Sequence, residues 1–167
     1  MGTLSFTIQQ KLHLNQNTLK KFLYVHGKQY LYHISAPGES EITCSRLSPF
    51  LAYGVFSVRE VLSSLDARVL ALSLEEKKAW SRSLSAFRSR LSWRDHFMQK
   101  IEDQPEIEYR CMHPGFEHMR PRPGNQTWMK AWETGYTGYP FIDACMRNLN
   151  HHGWITFRMR AMLVSFA

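Results

Sequence analysis

Apolar residues recur along the chain at intervals of three or four positions, the spacing that gathers side chains on one face of an α-helix. A first such pattern begins at Leu19, and Gly27 is expected to end it. The longest pattern occupies the middle of the chain, and its apolar face carries Trp80, Leu84, Phe87, Leu91 and either Phe97 or Met98. No strand-like alternation of useful length and no internal repeat is present. The sequence therefore predicts an all-α fold.

Short local signals mark where helices begin. Ser57 and Ser73 are each followed three positions later by a glutamate, a pair that forms a capping box on the first turn of a helix. Ser48-Pro49 is typical of an N-cap followed by a proline in the first turn. Pro37-Gly38 predicts a loop.

A proline-rich segment divides the second half of the chain. Gln104-Pro105 is expected to end the long helix. Residues 105–131 contain four prolines and two glycines, and we expect them to form a long irregular connection. Two further helices are predicted at about residues 140–151 and 154–167.

The domain organisation follows from the same pattern. Residues 1–16 are polar and without periodicity, so we interpret them as a linker or a poorly ordered segment. Residues 17–167 are expected to form one partial domain, which is long enough to bury a hydrophobic core. Because the last helical pattern shows no stop signal before residue 167, we interpret this domain as truncated at its C-terminal end.

Composition indicates which cellular compartment and which class of binding partner to expect. The chain has neither a signal-peptide pattern nor an apolar run long enough for a transmembrane helix, so no membrane partner is expected. Cys44, Cys111 and Cys145 are widely spaced and odd in number, as is typical of free thiols in a reducing compartment. We expect a cytoplasmic protein, with the nucleus or an organelle open if the source is eukaryotic. A net charge of +7 favours an anionic partner such as DNA, held partly by nonspecific attraction.

Two segments carry a specific order of residue types. Within residues 136–165, a Thr137-Gly138-Tyr139-Pro140 turn precedes a helix with Asp143, and Gly153-Trp154 precedes a last helix. Upstream, residues 44–51 read CSRLSPFL. In this order the two segments closely resemble the flavin signature and the flavin-phosphate motif of the cryptochrome/photolyase family. The resemblance implies a partial, all-helical FAD-binding domain, which in the intact family uses blue light for DNA repair or signalling.

The upstream segment has the chemistry that a flavin pyrophosphate requires. Serine hydroxyls, an arginine and the N–H groups at a helix start can all neutralise or bind phosphate. The resemblance assigns this role to Cys44, Ser45, Arg46, Leu47 and Ser48. Cys44 replaces a threonine that many relatives carry, which removes one hydroxyl contact. Taken without the second segment, Ser48-Pro49 would be interpreted only as a helix cap.

The resemblance places four further side chains on the flavin side. Tyr32 lies at about the distance where the family has a flavin-contacting tyrosine, and Tyr30 is the alternative, depending on loop length. A packed surface tyrosine without a flavin contact is a comparable interpretation. Phe87 stands where many relatives have tryptophan. Arg94 belongs to a Trp-Arg-x-x-Phe segment, and Arg160 matches an arginine that pairs with an aspartate near the flavin.

The resemblance also directs Arg90, Trp93, Trp154, Phe157 and Ala161 towards the DNA substrate. Arg90 replaces the glutamate of most photolyases, and an arginine cannot accept a hydrogen bond from a damaged base. The last three are expected on one helix face, with Trp154 as a candidate stacking surface. On that face Phe157 removes a polar group and Ala161 shortens the cavity wall.

The remaining charged positions have simpler interpretations. Arg158 lies about 160° around the helix from Arg160, so it is expected to face solvent, phosphate or another helix. Asp143 and Arg147 are four positions apart and are expected to pair on one helix face. The Cys and His residues near 111–118 lack the spacing of a zinc finger, so no metal site is expected.

Three functions remain open from the sequence. The leading one is a FAD-binding domain fragment of a photolyase-like flavoprotein, with repair of pyrimidine dimers in doubt because of Arg90, Phe157 and Ala161. The second is a non-enzymatic flavin photoreceptor. The third is a flavin-free helical remnant that binds nucleic acid or protein. Whether the protein is an enzyme, which would be a deoxyribodipyrimidine photolyase-like lyase, therefore stays open. The rest of the flavin domain is expected in a full-length protein.

Overall fold

The computed structural model describes residues 17–119 and 124–167, and within these ranges the chain contains helices and turns but no β-strand. The predicted all-α fold is confirmed, while the predicted linker 1–16 lies outside the described residues. The helices are residues 17–21 (α1), a π-helical turn Phe22–His26, a 3₁₀ turn Gly27–Gln29, Tyr30–His33 (α2), Pro37–Thr43 (α3), Ser48–Ala52 (α4), Val58–Ala71 (α5), Leu74–Asp103 (α6), 3₁₀ turns Pro105–Glu108 and Pro114–Phe116, Gln126–Thr134 (α7), Pro140–His152 (α8) and Phe157–Phe166 (α9).

The chain divides into two compact units at Ser92–Trp93, inside α6. The first unit has a core that includes Leu19, Phe22, Leu23, Tyr30, Leu47, Leu51, Val61, Leu65, Leu72, Trp80, Leu84, Phe87 and Leu91. The second unit has a smaller core of Ile142, Cys145, Met146, Ile155, Met159 and Leu163. One predicted domain over residues 17–167 stays a prediction. Within the described part of the chain, no helix is both long and apolar enough to span a membrane.

Both predicted capping boxes are present. The Ser57 hydroxyl accepts the Glu60 N–H, and the Glu60 carboxylate accepts the Ser57 N–H at 2.7 Å. Ser73 and Glu76 exchange the same pair of bonds at the start of α6. These bonds satisfy N–H groups that a helix start leaves free, which explains why α5 and α6 begin where the sequence predicts.

Two boundaries in the first unit differ from prediction, and a third agrees in position only. Gly27 is the C-cap of the π-helical turn Phe22–His26, but its φ of −64° is helical and not left-handed, and its N–H donates to the Phe22 oxygen. Pro37 begins α3 instead of a loop, since a proline fits the first helical position, where no N–H is needed. Ser48 is the first residue of α4, and Leu47 occupies the cap position without a side-chain bond.

The second unit contains a helix that the sequence interpretation missed. α7 begins inside the predicted connection 105–131, where the Asn125 carboxamide oxygen accepts the Thr127 and Trp128 N–H groups. It ends at Gly135, whose φ of +73° is left-handed. Asparagine before and glycine after a nine-residue span are recognisable cap signals, and the nearby prolines obscured them.

The apolar face of α6 is shorter than predicted. Trp80, Leu84, Phe87 and Leu91 are buried, whereas Phe97 and Met98 are exposed. The prediction is correct as far as Leu91, the last α6 residue in the first core. α9 also starts later than predicted, because Thr156 caps it by accepting the Met159 N–H.

Candidate flavin and nucleic-acid site

The predicted flavin-phosphate segment is the short loop between α3 and α4. Cys44 follows the last turn of α3, and its N–H donates to the Ser40 oxygen at 3.0 Å. Arg46 has a φ of +55°, the left-handed value that L-residues seldom adopt. The Ser45 hydroxyl accepts the Leu47 N–H at 3.5 Å, and the Leu47 side chain is buried. The loop is therefore tied to the first core by Leu47, while Cys44, Ser45 and Arg46 are half-buried and Ser48 is exposed.

Electrostatic coupling links this loop to α2 and α6. Burial raises the pKa of the Cys44 thiol to about 11, and the Arg46 guanidinium opposes that rise. Burial also raises the pKa of the Tyr30 phenol, Cys44 adds to the rise, and Arg90 opposes it. Tyr30, Cys44, Arg46 and Arg90 therefore form one neighbourhood within the first unit, and both thiol and phenol are held neutral at physiological pH.

The structure distinguishes the two candidate tyrosines. Tyr30 is buried, with its ring edge-on to Phe22 at 5.5 Å and to Phe87 at 5.7 Å. Tyr32 is exposed, and the Arg82 guanidinium lies over its ring at 5.9 Å. Sequence spacing left both open because it does not reveal which tyrosine enters the core.

Phe87 and Arg90 occupy different environments on α6. Phe87 is 3% exposed and packs against Phe22 with ring centroids 4.6 Å apart. Arg90 is exposed. The structure places the Phe87 ring within the first core. A flavin contact at Phe87 stays a prediction.

Trp93 and Arg94 lie in the second unit, near the end of α6. Trp93 is half exposed, and its ring contacts those of His96 and Phe97 at 5.8 Å and 5.9 Å. The Arg94 guanidinium donates to the Met98 sulfur at 2.9 Å and lies 3.6 Å from the Asp95 carboxylate. Both predicted site residues are therefore at least partly accessible on one helix.

The turn before α8 is organised by one carboxylate. Asp143 accepts the Thr137 N–H at 2.7 Å, the Thr137 hydroxyl at 2.6 Å and the Gly138 N–H at 3.1 Å. These bonds, led by that of the Thr137 hydroxyl, lower the Asp143 pKa. Arg147 does not form the predicted salt bridge with this carboxylate: it donates to the Asp143 main-chain oxygen, and its guanidinium lies over the Tyr136 ring. Its charge nevertheless adds to the lowering of the Asp143 pKa. Both carboxylate oxygens of Asp143 accept hydrogen bonds from the turn.

Trp154 lies in the loop between α8 and α9. It is therefore not on one helical face with Phe157 and Ala161, and that prediction is wrong. Phe157 is the first residue of α9 and is 66% exposed. Arg158, Arg160 and Ala161 are also exposed.

One apolar cavity in the second unit was not anticipated. It has a volume of about 450 Å³, and its lining includes Trp128, Trp132, Tyr139 and Phe166. Two tryptophans four positions apart were the available signal, and the missed helix α7 hid it. Among residues 17–119 and 124–167, no three Cys, His, Asp or Glu side chains are grouped so as to hold a metal ion.

Comparison with known proteins identifies relatives for most of the chain. The family described as the FAD binding domain of DNA photolyase matches residues 87–167. The deoxyribodipyrimidine photo-lyase of Streptomyces griseus is 33% identical over 73% of this chain and 24% of its own length. Cryptochrome-1 of Arabidopsis thaliana is 30% identical over 86% of this chain and 21% of its own length. The chain thus spans about a quarter of the length of these curated relatives.

Solved structures have the same fold. A class III photolyase from Agrobacterium tumefaciens superimposes with a TM-score of 0.78 at 28% identity, covering 91% of this chain and 30% of that one. A cryptochrome from Synechocystis gives a TM-score of 0.77 over 93% of this chain and 31% of that one. Its identity of 23% supports likeness of fold alone.

Proposed function

The chain belongs to the cryptochrome/photolyase family as part of its FAD-binding domain, and on that premise we propose that it supplies the phosphate loop and part of the DNA-facing surface of a photolyase-like flavoprotein. The observation that carries the proposal is the order of the chain: the Cys44–Ser48 loop precedes a region, residues 87–167, that matches a FAD-binding domain. The substrate and the activity of the whole protein are part of this proposal.

The residues of the loop fit a pyrophosphate. Ser45 and Ser48 offer hydroxyl donors, and Arg46, a half-buried residue, offers a guanidinium. The neutral Cys44 thiol adds no negative charge that would repel the phosphates. When bound, FAD supplies the light absorption and the electron chemistry, while the chain binds and orients it.

DNA binding is proposed as mainly electrostatic. The net charge of +7 attracts a phosphate backbone, and exposed Arg90 and Arg158 contribute to it. Trp154, in the loop before α9, is the candidate for stacking on an unpaired base. Such binding is expected to weaken steeply as salt concentration rises.

Repair of pyrimidine dimers is proposed to be weak or absent. The resemblance puts Arg90 where photolyases carry a hydrogen-bond acceptor, and it puts Phe157 where they carry a polar side chain. Losing a hydrogen bond that recognises a substrate can reduce discrimination by several orders of magnitude. The same two substitutions also fit the second candidate function, a flavin photoreceptor without repair activity.

The cofactor assignment is tested by flavin occupancy. The full-length protein that contains this chain is purified, and its visible spectrum and its FAD affinity are recorded. Arg46→Ala is expected to weaken FAD binding, whereas Arg59→Ala, an exposed arginine on α5, leaves it unchanged. Cys44→Thr restores the hydroxyl of the relatives and is expected to tighten binding. A well-folded wild type without flavin affinity would refute the proposal.

The repair assignment is tested by illumination. A dimer-containing oligonucleotide is irradiated with the reduced protein, and wild type is compared with the Arg90→Glu, Phe157→Asn double variant. We expect little repair by wild type and a gain in the double variant. Efficient repair by wild type would overturn the proposed loss of dimer recognition and leave the FAD assignment intact.

A further inference from the structure

Asn148 connects α8 to the loop that carries Trp154. Its side-chain amide donates a hydrogen bond to the Trp154 main-chain oxygen at 3.3 Å, across six positions of sequence. Asn148 is half-buried on α8, one turn before that helix ends. The bond therefore joins a regular helix to an irregular segment, where the backbone has no repeating hydrogen bonds of its own.

The rest of this loop is also held at both ends. Gly153 ends α8 with a φ of +66°, and its N–H donates to the Leu149 oxygen at 2.8 Å. Ile155 is 5% exposed, and Thr156 is 2% exposed while capping α9. Trp154 is the residue of the four that combines a large aromatic side chain with partial exposure. The Asn148 side chain bonds to the carbonyl group of Trp154, which belongs to the peptide bond after the Trp154 Cα.

We propose that Asn148 is a positioning residue that fixes the main chain at Trp154 and thereby presents the indole as a stacking surface for an unpaired nucleobase. The inference rests on the proposed role of Trp154 in binding nucleic acid. A stacking side chain gains affinity when its backbone is fixed before the ligand arrives, because less conformational entropy is then lost on binding.

A purely structural role for Asn148 can be separated from a positioning role by a matched residue. Asn150 lies two positions away on α8, and its amide likewise donates to a main-chain oxygen, that of Glu133, at 2.8 Å. This bond connects α8 to α7 instead of to the Trp154 loop. Substituting either asparagine removes one such bond, but only the bond of Asn148 reaches Trp154.

The experiment uses the full chain with its five tryptophans replaced by 5-fluorotryptophan. Fluorine NMR resolves the Trp154 line, which Trp154→Phe identifies. Asn148→Ala is expected to shift or broaden that line, and Asn150→Ala is expected to leave it unchanged. Asn148→Asp keeps the size of the side chain but removes the donor, so it should reproduce the effect if the alanine variant is poorly folded. An unchanged Trp154 line in a folded Asn148 variant would overturn the proposal.

Affinity for a single-stranded oligonucleotide distinguishes failure of the proposed role of Asn148 from failure of the proposed nucleic-acid binding by Trp154. Trp154→Ala is expected to weaken binding about tenfold, the scale of one lost stacking contact, and Asn148→Ala about threefold. If Asn148→Ala moves the Trp154 line while Trp154→Ala leaves affinity unchanged, the nucleic-acid role of Trp154 fails and the proposal fails as a stacking device. If Trp154→Ala weakens binding and Asn148→Ala does not, Asn148 is a structural residue and the proposal is refuted.

Discussion

Arg147 donates from its Nε to the main-chain oxygen of Asp143 at 3.2 Å, and not to the carboxylate of that residue. The carboxylate accepts the hydroxyl and N–H of Thr137 together with the N–H of Gly138. The Asp143 side chain thus joins α8 to the preceding turn, while its main-chain oxygen accepts a hydrogen bond from Arg147 within α8. Gly135 lies against the same pair, since an added Cβ would come within 2.9 Å of Arg147 Cγ and of the Asp143 oxygen.

Asp143 is expected to make stability depend on pH. Its pKa is lowered in the fold, chiefly by the Thr137 hydroxyl, so the folded protein holds the proton less tightly than the unfolded chain. The stabilisation is therefore complete above the unfolded pKa of about 3.9 and is lost as pH falls through the lower folded value. Urea unfolding of Asp143→Asn should show lower stability at pH 7 and a smaller loss below pH 4 than wild type. Glu133→Gln, at an exposed pair with Lys130, is the control; equal acid sensitivity of wild type and Asp143→Asn would contradict this prediction.

Arg68 is expected to stabilise the first unit more than any exposed arginine does. Its side chain is 9% exposed, its Nε donates to the Leu23 oxygen, and its Nη2 lies 3.2 Å from Glu76. Its guanidinium also lies over the rings of Tyr24 and Trp80, at 4.7 Å and 5.1 Å. Arg68→Ala should lower the free energy of unfolding by about 2–4 kcal/mol, because it removes a buried hydrogen bond to the Leu23 oxygen and leaves a space where its side chain was packed.

Arg88→Ala is the matched control for Arg68, since Arg88 pairs with Asp66 at the protein surface. Exposed ion pairs contribute about 0–1 kcal/mol, so this variant should be close to wild type in chemical denaturation. Similar losses for the two variants would mean that the burial of Arg68 contributes nothing extra.

Gly27→Ala is expected to be destabilising, although the glycine has an ordinary helical φ. A Cβ at this position would stand 2.6 Å from the Phe22 main-chain oxygen, so the π-turn must move to admit it. We expect a loss of about 1–3 kcal/mol in thermal or chemical unfolding. Gly38→Ala on α3 meets nothing within 4 Å and should be neutral or slightly stabilising. A Gly27 variant as stable as wild type would show that the turn relaxes freely.

Cys44 is expected to react slowly with alkylating reagents while the protein is folded. Its pKa of about 11 leaves only about one thiol in a thousand ionised at pH 8, and the thiolate is the nucleophile. Iodoacetamide labelling, followed by peptide mass spectrometry, should be at least about a hundredfold slower at Cys44 in native protein than in urea. Cys145, which is 1% exposed, should be protected as well. Comparable native and unfolded rates at Cys44 would contradict the burial of its thiol.

The sequence by itself determined the features that depend on residues three or four positions apart. The capping boxes at Ser57 and Ser73 and the α6 face from Trp80 to Leu91 are of this kind, because helix geometry brings their partners together wherever the helix packs. The family signature was also readable, since its residues stand in a fixed order along the chain. FAD contacts at individual residues, by contrast, remain predictions.

For Gly27, Arg147 and Trp154, only the tertiary structure decided which atoms each residue contacts. Gly27 does follow the last residue of a helical turn, but that turn is π-helical, and an added Cβ at Gly27 would stand 2.6 Å from the Phe22 main-chain oxygen. Arg147 reads as a partner for the Asp143 carboxylate, but the turn at Thr137 occupies that carboxylate first. Trp154 reads as helical, but Asn148, Gly153 and Thr156 hold it in a loop. In each case a short-range preference of about 1 kcal/mol or less yields to close packing and to the need to pair every buried polar group.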